Sequence, residues 1–319
     1  MKKVCIILLI LSVLVGCSTE IEGESNQSPD WASQEKRALS QLTIATMPAL
    51  ETFPIFIASI HGFFEDEGLE VNLEQFFSPG DRDIAFQTNE NIDGMSFDLV
   101  QLAVYREAGI GLVATTSTIG MASVIGGHGV YTIEDLKGQS VLMTSNTSMD
   151  YILDRALAAF GLTVSDIITD EVPALPIRLE MLLNNQSAGA ILPDPFAAMA
   201  LYNGFNLITT TTELDINPFI IAFRKETTVD KLEELQAFYR AINNAVDFLN
   251  TANREEFIDA LIEVVGYPQS VRDTLVVPHF PQYAVPQHKV VQDVLDFAVA
   301  RGLLTIETAV EDVIFDIGN

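Results

Sequence analysis

Cysteine is scarce: of 319 residues only Cys5 and Cys17 are cysteines. A body folded from the rest of the chain has no disulfide and no thiolate metal ligand to hold it together. Its stability must come from an apolar core, and a chain of this length can bury one. Cations are scarce as well, with 17 Lys and Arg against 44 Asp and Glu, a net charge of −27. Such a charge excludes nucleic acid as a partner and opposes electrostatic attraction to anionic lipid. The single tryptophan, Trp31, sits in a polar stretch unsuited to a ligand platform. His61, His128, His279 and His288 are scattered without metal-ligand spacing. The His-Glu-x-x-His, Gly-x-Ser-x-Gly, phosphate-loop and dinucleotide signatures are missing. Gly126-Gly127-His128-Gly129 looks like an oxyanion loop but has no nucleophile elbow to serve, so it reads as a mobile connection. The expectation is a protein without enzymatic activity, cofactor or metal.

The longest apolar run, Val4 to Val15, is too short to span a membrane, which takes about 20 residues. It follows Met1-Lys2-Lys3 and ends in Leu14-Val15-Gly16-Cys17. A charged start, an apolar segment and small residues at the end form a secretory signal peptide. A cysteine directly after Val-Gly resembles the lipobox of bacterial lipoproteins, in which that thiol is diacylated and becomes the first residue. The expected layout is a signal peptide over 1–16, then a lipidated Cys17 and a flexible acidic tether over 17–40. The chain is then extracytoplasmic, anchored by lipid to the bacterial cell membrane.

From Leu42 the pattern is that of an α/β fold. Strands are expected at Leu42 to Thr46, Leu69 to Phe77, Ile110 to Thr116, Ser140 to Met143, Gly189 to Leu192 and Phe219 to Phe223. In the second of these, Leu69, Val71 and Leu73 alternate with Glu70, Asn72 and Glu74. Pro54 can open a helix that runs to Ile60, and Phe63 to Asp66 forms a helical turn closed by Gly68. Ser78 to Asp81 reads as a turn, followed by helices over Arg82 to Thr88 and Phe97 to Ala108. Further helices are expected from about Met149 to Phe160, over Arg178 to Asn184, and from Phe196 to Tyr202. Three more follow Phe223, the first with Leu235, Phe238, Ile242, Val246 and Leu249 at helical spacing. Gly266 and Gly302 close the second and third. Strands alternating with helices imply a largely parallel sheet. No internal repeat is evident.

Five landmarks then stand in a telling order. They are Gly62-Phe63-Phe64, Glu67-Gly68-Leu69-Glu70-Val71, Ile92-Asp93-Gly94, Asp135-Leu136-Lys137-Gly138 before a strand and Ser-rich turn, and Asp194-Pro195 after a buried strand. Behind a lipobox, this order resembles the substrate-binding lipoproteins of nitrate-, sulfonate- and taurine-type importers, which include binders of thiamine pyrimidine precursors. The resemblance covers about residues 42 to 315. It implies a type II periplasmic-binding-protein fold. One lobe would comprise 41–118 plus 217–319, the other 119–216, with the ligand in the cleft between them. The family usually has Glu where this chain has Asp194, a shorter side chain. A related fold serves as a fungal pyrimidine synthase through a cysteine-rich iron motif, which this sequence lacks.

Ligands of open α/β sheets meet the loops at the carboxyl ends of strands. That rule selects Met47 to Phe53, with Thr52 and Phe53 as contacts. It also selects Ser78-Pro79-Gly80-Asp81, where Gly80 admits close backbone approach and Arg82 offers a cation. The third loop is Ser145-Asn146-Thr147-Ser148, a helix start whose N–H groups and hydroxyls suit a carboxylate, sulfonate or phosphate. Asp194 would accept a hydrogen bond from a ligand amine, which suits an aminopyrimidine or zwitterion better than a small bare anion. Of Phe76 and Phe77, one belongs to the core and the other is free to stack on a ring. The competing reading of each loop is a plain connection. The function expected is a monomeric solute-binding lipoprotein that delivers a small molecule to the permease and ATPase subunits of an ABC importer. The ligand is a thiamine pyrimidine precursor or other heterocycle, or a sulfonate- or nitrate-like anion. The alternative is an enzyme or sensor on the same two-lobed fold.

Overall fold

The computed structural model describes residues 38–318. The expected signal peptide, the lipid site Cys17 and nearly all of the expected tether lie outside the described residues. At the tether's end Ser40 already belongs to the fold: its N–H and hydroxyl donate to the Glu234 carboxylate at 2.9 and 2.7 Å.

Two five-stranded sheets organise the described chain. The first takes β1 (Leu42–Thr46), β2 (Val71–Gln75), β3 (Gly94–Asp98) and β4 (Leu112–Ser117). The second takes β5 (Ala122–Gly126), β6 (Ser140–Met143), β7 (Ile168–Glu171), β8 (Gly189–Pro193) and β9 (Asn206–Thr210). The last strand, β10 (Phe219–Arg224), returns to the first sheet. The orders are β2-β1-β3-β10-β4 and β7-β6-β8-β5-β9. In each sheet four strands run one way, and the strand that has just crossed from the other lobe runs against them. The sheets are thus largely parallel, as the alternation of elements implies.

The two lobes repeat one topology, a regularity that escaped the sequence because few residues carry it. One that does is arginine. Arg82 is the fourth residue of helix Pro79–Thr88 and Arg178 the fourth of helix Leu175–Leu183. Each reaches from Nη1, at 2.7 Å, to the carbonyl of the third residue in the next strand, Ser96 in β3 and Ile191 in β8.

Packing follows the helical periodicities. Helix Leu232–Thr251 buries Leu235, Phe238, Ile242, Val246 and Leu249 against helix Phe53–Ile60 and β1. At about 1.5–3 kcal/mol per such side chain, this face anchors the first lobe. Helix Ser148–Ala159 of the second lobe buries Tyr151, Ile152 and Leu153, and its cluster includes Val294 and Phe297 of helix His288–Ala300. Arg155 pairs with Asp293 and Arg301 with Asp150, both at 2.8 Å, along that junction.

Two crossings join the lobes, residues 118–121 and 211–218. They bind each other: the Thr118 N–H donates to the Phe219 carbonyl at 3.1 Å and the Thr211 hydroxyl to the Gly120 carbonyl at 3.3 Å. Gly120 has no room for a side chain, since a Cβ there would stand 1.9 Å from the Phe219 ring.

Several elements differ from expectation. Phe97 lies in β3 rather than a helix. Asp98 ends that strand and caps helix Leu99–Glu107, accepting from the Val100 and Gln101 N–H groups at 3.0 Å, so no turn residue marks the boundary. The helix expected from Arg82 begins at Pro79. β5, β7 and β9 had no counterpart in the sequence reading.

Candidate functional site

The carboxyl ends of the two sheets meet. The Gln101 side-chain amide, from the first lobe, donates to the Asn146 carbonyl of the second at 3.1 Å. The Tyr267 hydroxyl bonds the Asp194 carboxylate just beyond β8. Helix Phe196–Tyr202 packs on the turn Gln269–Val271 beside it.

Acids dominate this meeting. Glu51, half-buried in the turn Leu50–Thr52 after β1, has its carboxyl pushed up to about 7. Burial is the main cause; its own N–H opposes the shift, the Asp194 charge adds to it and Arg82 lowers it. Asp194 is also raised, chiefly by burial, against the bonds from Tyr267 and the Ala198 N–H. Asp98 is pushed up to about 6 by burial, although the Gln101 N–H, Arg82 and the Val100 N–H pull it down. Two phenols complete the surface. Burial, then Asp194, raises Tyr267. The Tyr283 hydroxyl donates to the Glu51 carbonyl at 3.4 Å, and its ring lies 5.9 Å from that of Tyr239.

The nearby cation is already engaged. Arg82 donates to Asp83 at 2.9 and 2.7 Å and to the Ser96 carbonyl, and lies 4.9 Å from the centre of the Phe97 ring. Among the described residues, three buried side-chain polar atoms lack a partner, and two belong here: the hydroxyls of Thr46, ending β1, and Thr118, just past β4. Buried hydroxyls are seldom left unpaired, which sets these two apart.

The residues singled out from sequence are dispersed. Thr52 is buried, and its hydroxyl donates to the Met47 and Ala49 carbonyls at 2.7 and 2.9 Å. Phe53 is a correction: it is fully buried, its ring 6.4 and 6.2 Å from those of Phe257 and Phe280, and it offers a ligand no surface. Ser78 caps helix Pro79–Thr88, and Gly80 and Asp81 lie exposed in its first turn. The Ser145 N–H and hydroxyl both go to Glu171, at 2.9 and 2.7 Å. Asn146 adopts φ 59° and its N–H donates to Asp150. Thr147 caps the helix that the buried Ser148 begins. Asp194 and Asn146 are thus the expected residues found where the lobes touch. Phe76 packs on the core, while Phe77 is 80% exposed.

Glu51, Tyr267, Tyr283 and the two threonines were not anticipated. Glu51 stands in a selected loop, and its charge amid apolar neighbours was the available signal. The tyrosines sit in an irregular segment far along the chain and carry no local signal.

A cavity of about 540 Å³ opens at the opposite, amino ends of the first sheet, lined in part by Asp93, Arg224 and Lys231. There Lys231 pairs with Asp93 at 2.8 Å and Arg224 donates to the Ile92 carbonyl at 2.8 Å, so these two cations are already engaged.

Comparison with known proteins agrees with this architecture. The structure is similar to the periplasmic aliphatic sulphonate binding protein SsuA of Escherichia coli, at 18% identity over 86% of this chain and 97% of that one, with a TM-score of 0.74. It is similar to the ligand-binding component of an ABC-type import system from Staphylococcus aureus, at 12% identity over 87% and 97% with a TM-score of 0.73. For the periplasmic nitrate-binding protein NrtA of Synechocystis PCC 6803 the identity is 16%, the coverage 86% of each chain and the TM-score 0.67. At these identities the likeness speaks for the fold. No curated protein sequence matches significantly. The family model described as NMT1/THI5 like matches residues 50–252, more than half of the sequence. The chain has the periplasmic-binding-protein fold and belongs to the NMT1/THI5-like family.

Proposed function

We propose that this protein is the solute-binding subunit of an ABC importer, working outside the cytoplasm and anchored through a lipid on Cys17. It captures a small molecule between its lobes as a monomer and passes it to the permease and ATPase subunits. The ligand belongs to the thiamine pyrimidine precursors or related heterocycles, or to the sulfonate- and nitrate-like anions. The observation that carries this reading is the meeting of two topologically equivalent lobes at the carboxyl ends of their sheets, where Gln101 of one bonds the Asn146 carbonyl of the other and Asp194 meets Tyr267. Two narrow crossings leave the lobes able to move as bodies, and a ligand that touches both shifts the balance toward closure.

Two measurements test it. Small-angle scattering should show a smaller radius of gyration when a bound solute saturates the protein. Tight binding by a protein that scatters as open both with and without solute contradicts the mechanism. In the native host, Cys17→Ser should release the mature protein from the membrane fraction. A variant that stays membrane-bound after processing removes the lipid anchor from the proposal.

A further inference from the structure

Helix Ser148–Ala159 carries the second lobe's side of the junction with helix His288–Ala300, and one of its side chains is a buried carboxylate. Asp150 accepts from Arg301 Nη2 at 2.8 Å on one oxygen and from the Asn146 N–H at 3.0 Å on the other. Arg301 follows helix His288–Ala300, which packs on helix Leu99–Glu107 of the first lobe. A carboxylate is tolerated in such a place only when paired, and Arg301 supplies the opposite charge. The guanidinium is itself held, with Asp154 at 3.3 Å and the centre of the Phe297 ring at 5.0 Å. The second oxygen is thereby fixed in direction, and its bond to the Asn146 N–H is charge-assisted.

Asn146 is held a second time. Its carbonyl accepts at 3.1 Å from the side chain of Gln101, which stands in the first turn of helix Leu99–Glu107. Between these two bonds Asn146 keeps a left-handed φ of 59°, which asparagine tolerates better than most residues. The bonds run from Arg301 to Asp150, to Asn146 and to Gln101, so two side chains of the first lobe bracket a loop of the second.

We propose that Asp150 is a positioning residue, through which the first lobe sets the backbone of the Ser145–Ser148 loop in the second. The loop then keeps its place on Gln101 when the rest of the junction parts. For the solute-binding reading this makes the corner the pivot about which the lobes open. The link itself does not depend on that reading and is tested without solute.

Amide hydrogen exchange resolved to single residues, on the solute-free mature protein, is the experiment. Arg301→Gln removes a side chain whose hydrogen bonds go to Asp150 and Asp154 and not to the loop. It should still speed exchange of the Asn146 amide by about tenfold or more, the loss expected for a hydrogen bond to a charged group. Without its cation the buried carboxylate turns to solvent or takes up a proton, and either weakens that bond. Arg301→Lys keeps the cation and should hold exchange near that of wild type, a rescue that lost packing alone would not give. The Leu153 amide, within the same helix, should stay protected in every variant. If Arg301→Gln does not fold, Gln101→Leu decides from the other end and should also speed the Asn146 amide. An unchanged Asn146 amide in the deciding variant overturns the link and makes Asp150 a cap within its own lobe. Exchange that rises as much at Leu153 as at Asn146 overturns it too, because the helix has then loosened as a whole. Either result leaves the solute-binding reading standing, whereas a protein that never compacts with solute removes that reading and leaves the link.

Discussion

A carboxyl group that titrates near neutrality in the fold makes stability depend on pH in a definite direction. Glu51 has its folded pKa pushed from 4.5 to about 7. Between those values the folded chain holds a proton that the unfolded chain has released, so the folded state binds more protons and loses stability as pH rises. The contribution is fully present below 4.5 and is gone once pH has passed about 7. Asp98, pushed to about 6, and Asp194 act in the same sense. The general repulsion of a chain with a net charge of −27 also grows with pH, so wild type alone does not isolate Glu51. Glu51→Gln does. The variant should melt above wild type at pH values beyond 7, match it near pH 4.5, and lose part of the decline between them. Parallel melting curves across that range would assign the decline to other acids. Two positions along the same chain, Phe53 has no charge to titrate, and its place in the core follows from its burial and its ring contacts with Phe257 and Phe280.

Elements were legible in the sequence where a local signal fixed both ends. Helix Leu232–Thr251 shows its apolar face at helical spacing, and helix Phe53–Ile60 has Pro54 to open it and His61-Gly62 to end it. β3 was illegible because strand and helix share Asp98 with no break between them. β7 is mostly exposed, so it has no alternation to read, whereas β5 is buried throughout and reads as an apolar run without a period. The candidate site divides in the same way. Asp194 could be found because Asp-Pro follows a buried strand, but its partner Tyr267 is brought to it only by the second crossing and the helices after it. Those crossings are where a small change should cost most. At Gly120 a methyl group meets the Phe219 ring near its attachment to the backbone, where rotation gives little relief. Gly120→Ala should therefore lower unfolding stability by about 1–3 kcal/mol in urea titration, as overpacking does elsewhere. A variant as stable as wild type would show that the crossings can part without loss.

At the scale of the whole molecule the two sides of the lobe junction are built differently. On one side, helix Ser148–Ala159 buries Tyr151, Ile152 and Leu153 in a cluster shared with Val294 and Phe297 of helix His288–Ala300. The ion pairs Arg155–Asp293 and Arg301–Asp150 line it; the first is part-exposed and such a pair contributes only about 0–1 kcal/mol, while in the second Asp150 is buried. The apolar contact is what would hold that side together while the other opens. On the other side Tyr267 meets Asp194, helix Phe196–Tyr202 lies against Gln269–Val271, and Ala198 packs on the first lobe's cluster. Opening about the crossings is expected to break this second side first. Tyr267→Phe removes the hydroxyl while keeping the ring, which is 4% exposed. The ligand-free variant should then scatter with a larger radius of gyration than ligand-free wild type. Saturating solute should bring both to the same compact value, because ligand contacts replace the missing bond. Arg155→Ala, on the apolar side, should leave the ligand-free radius unchanged. If Tyr267→Phe leaves the radius unchanged and Arg155→Ala enlarges it, the lobes open on the side of helix His288–Ala300 instead.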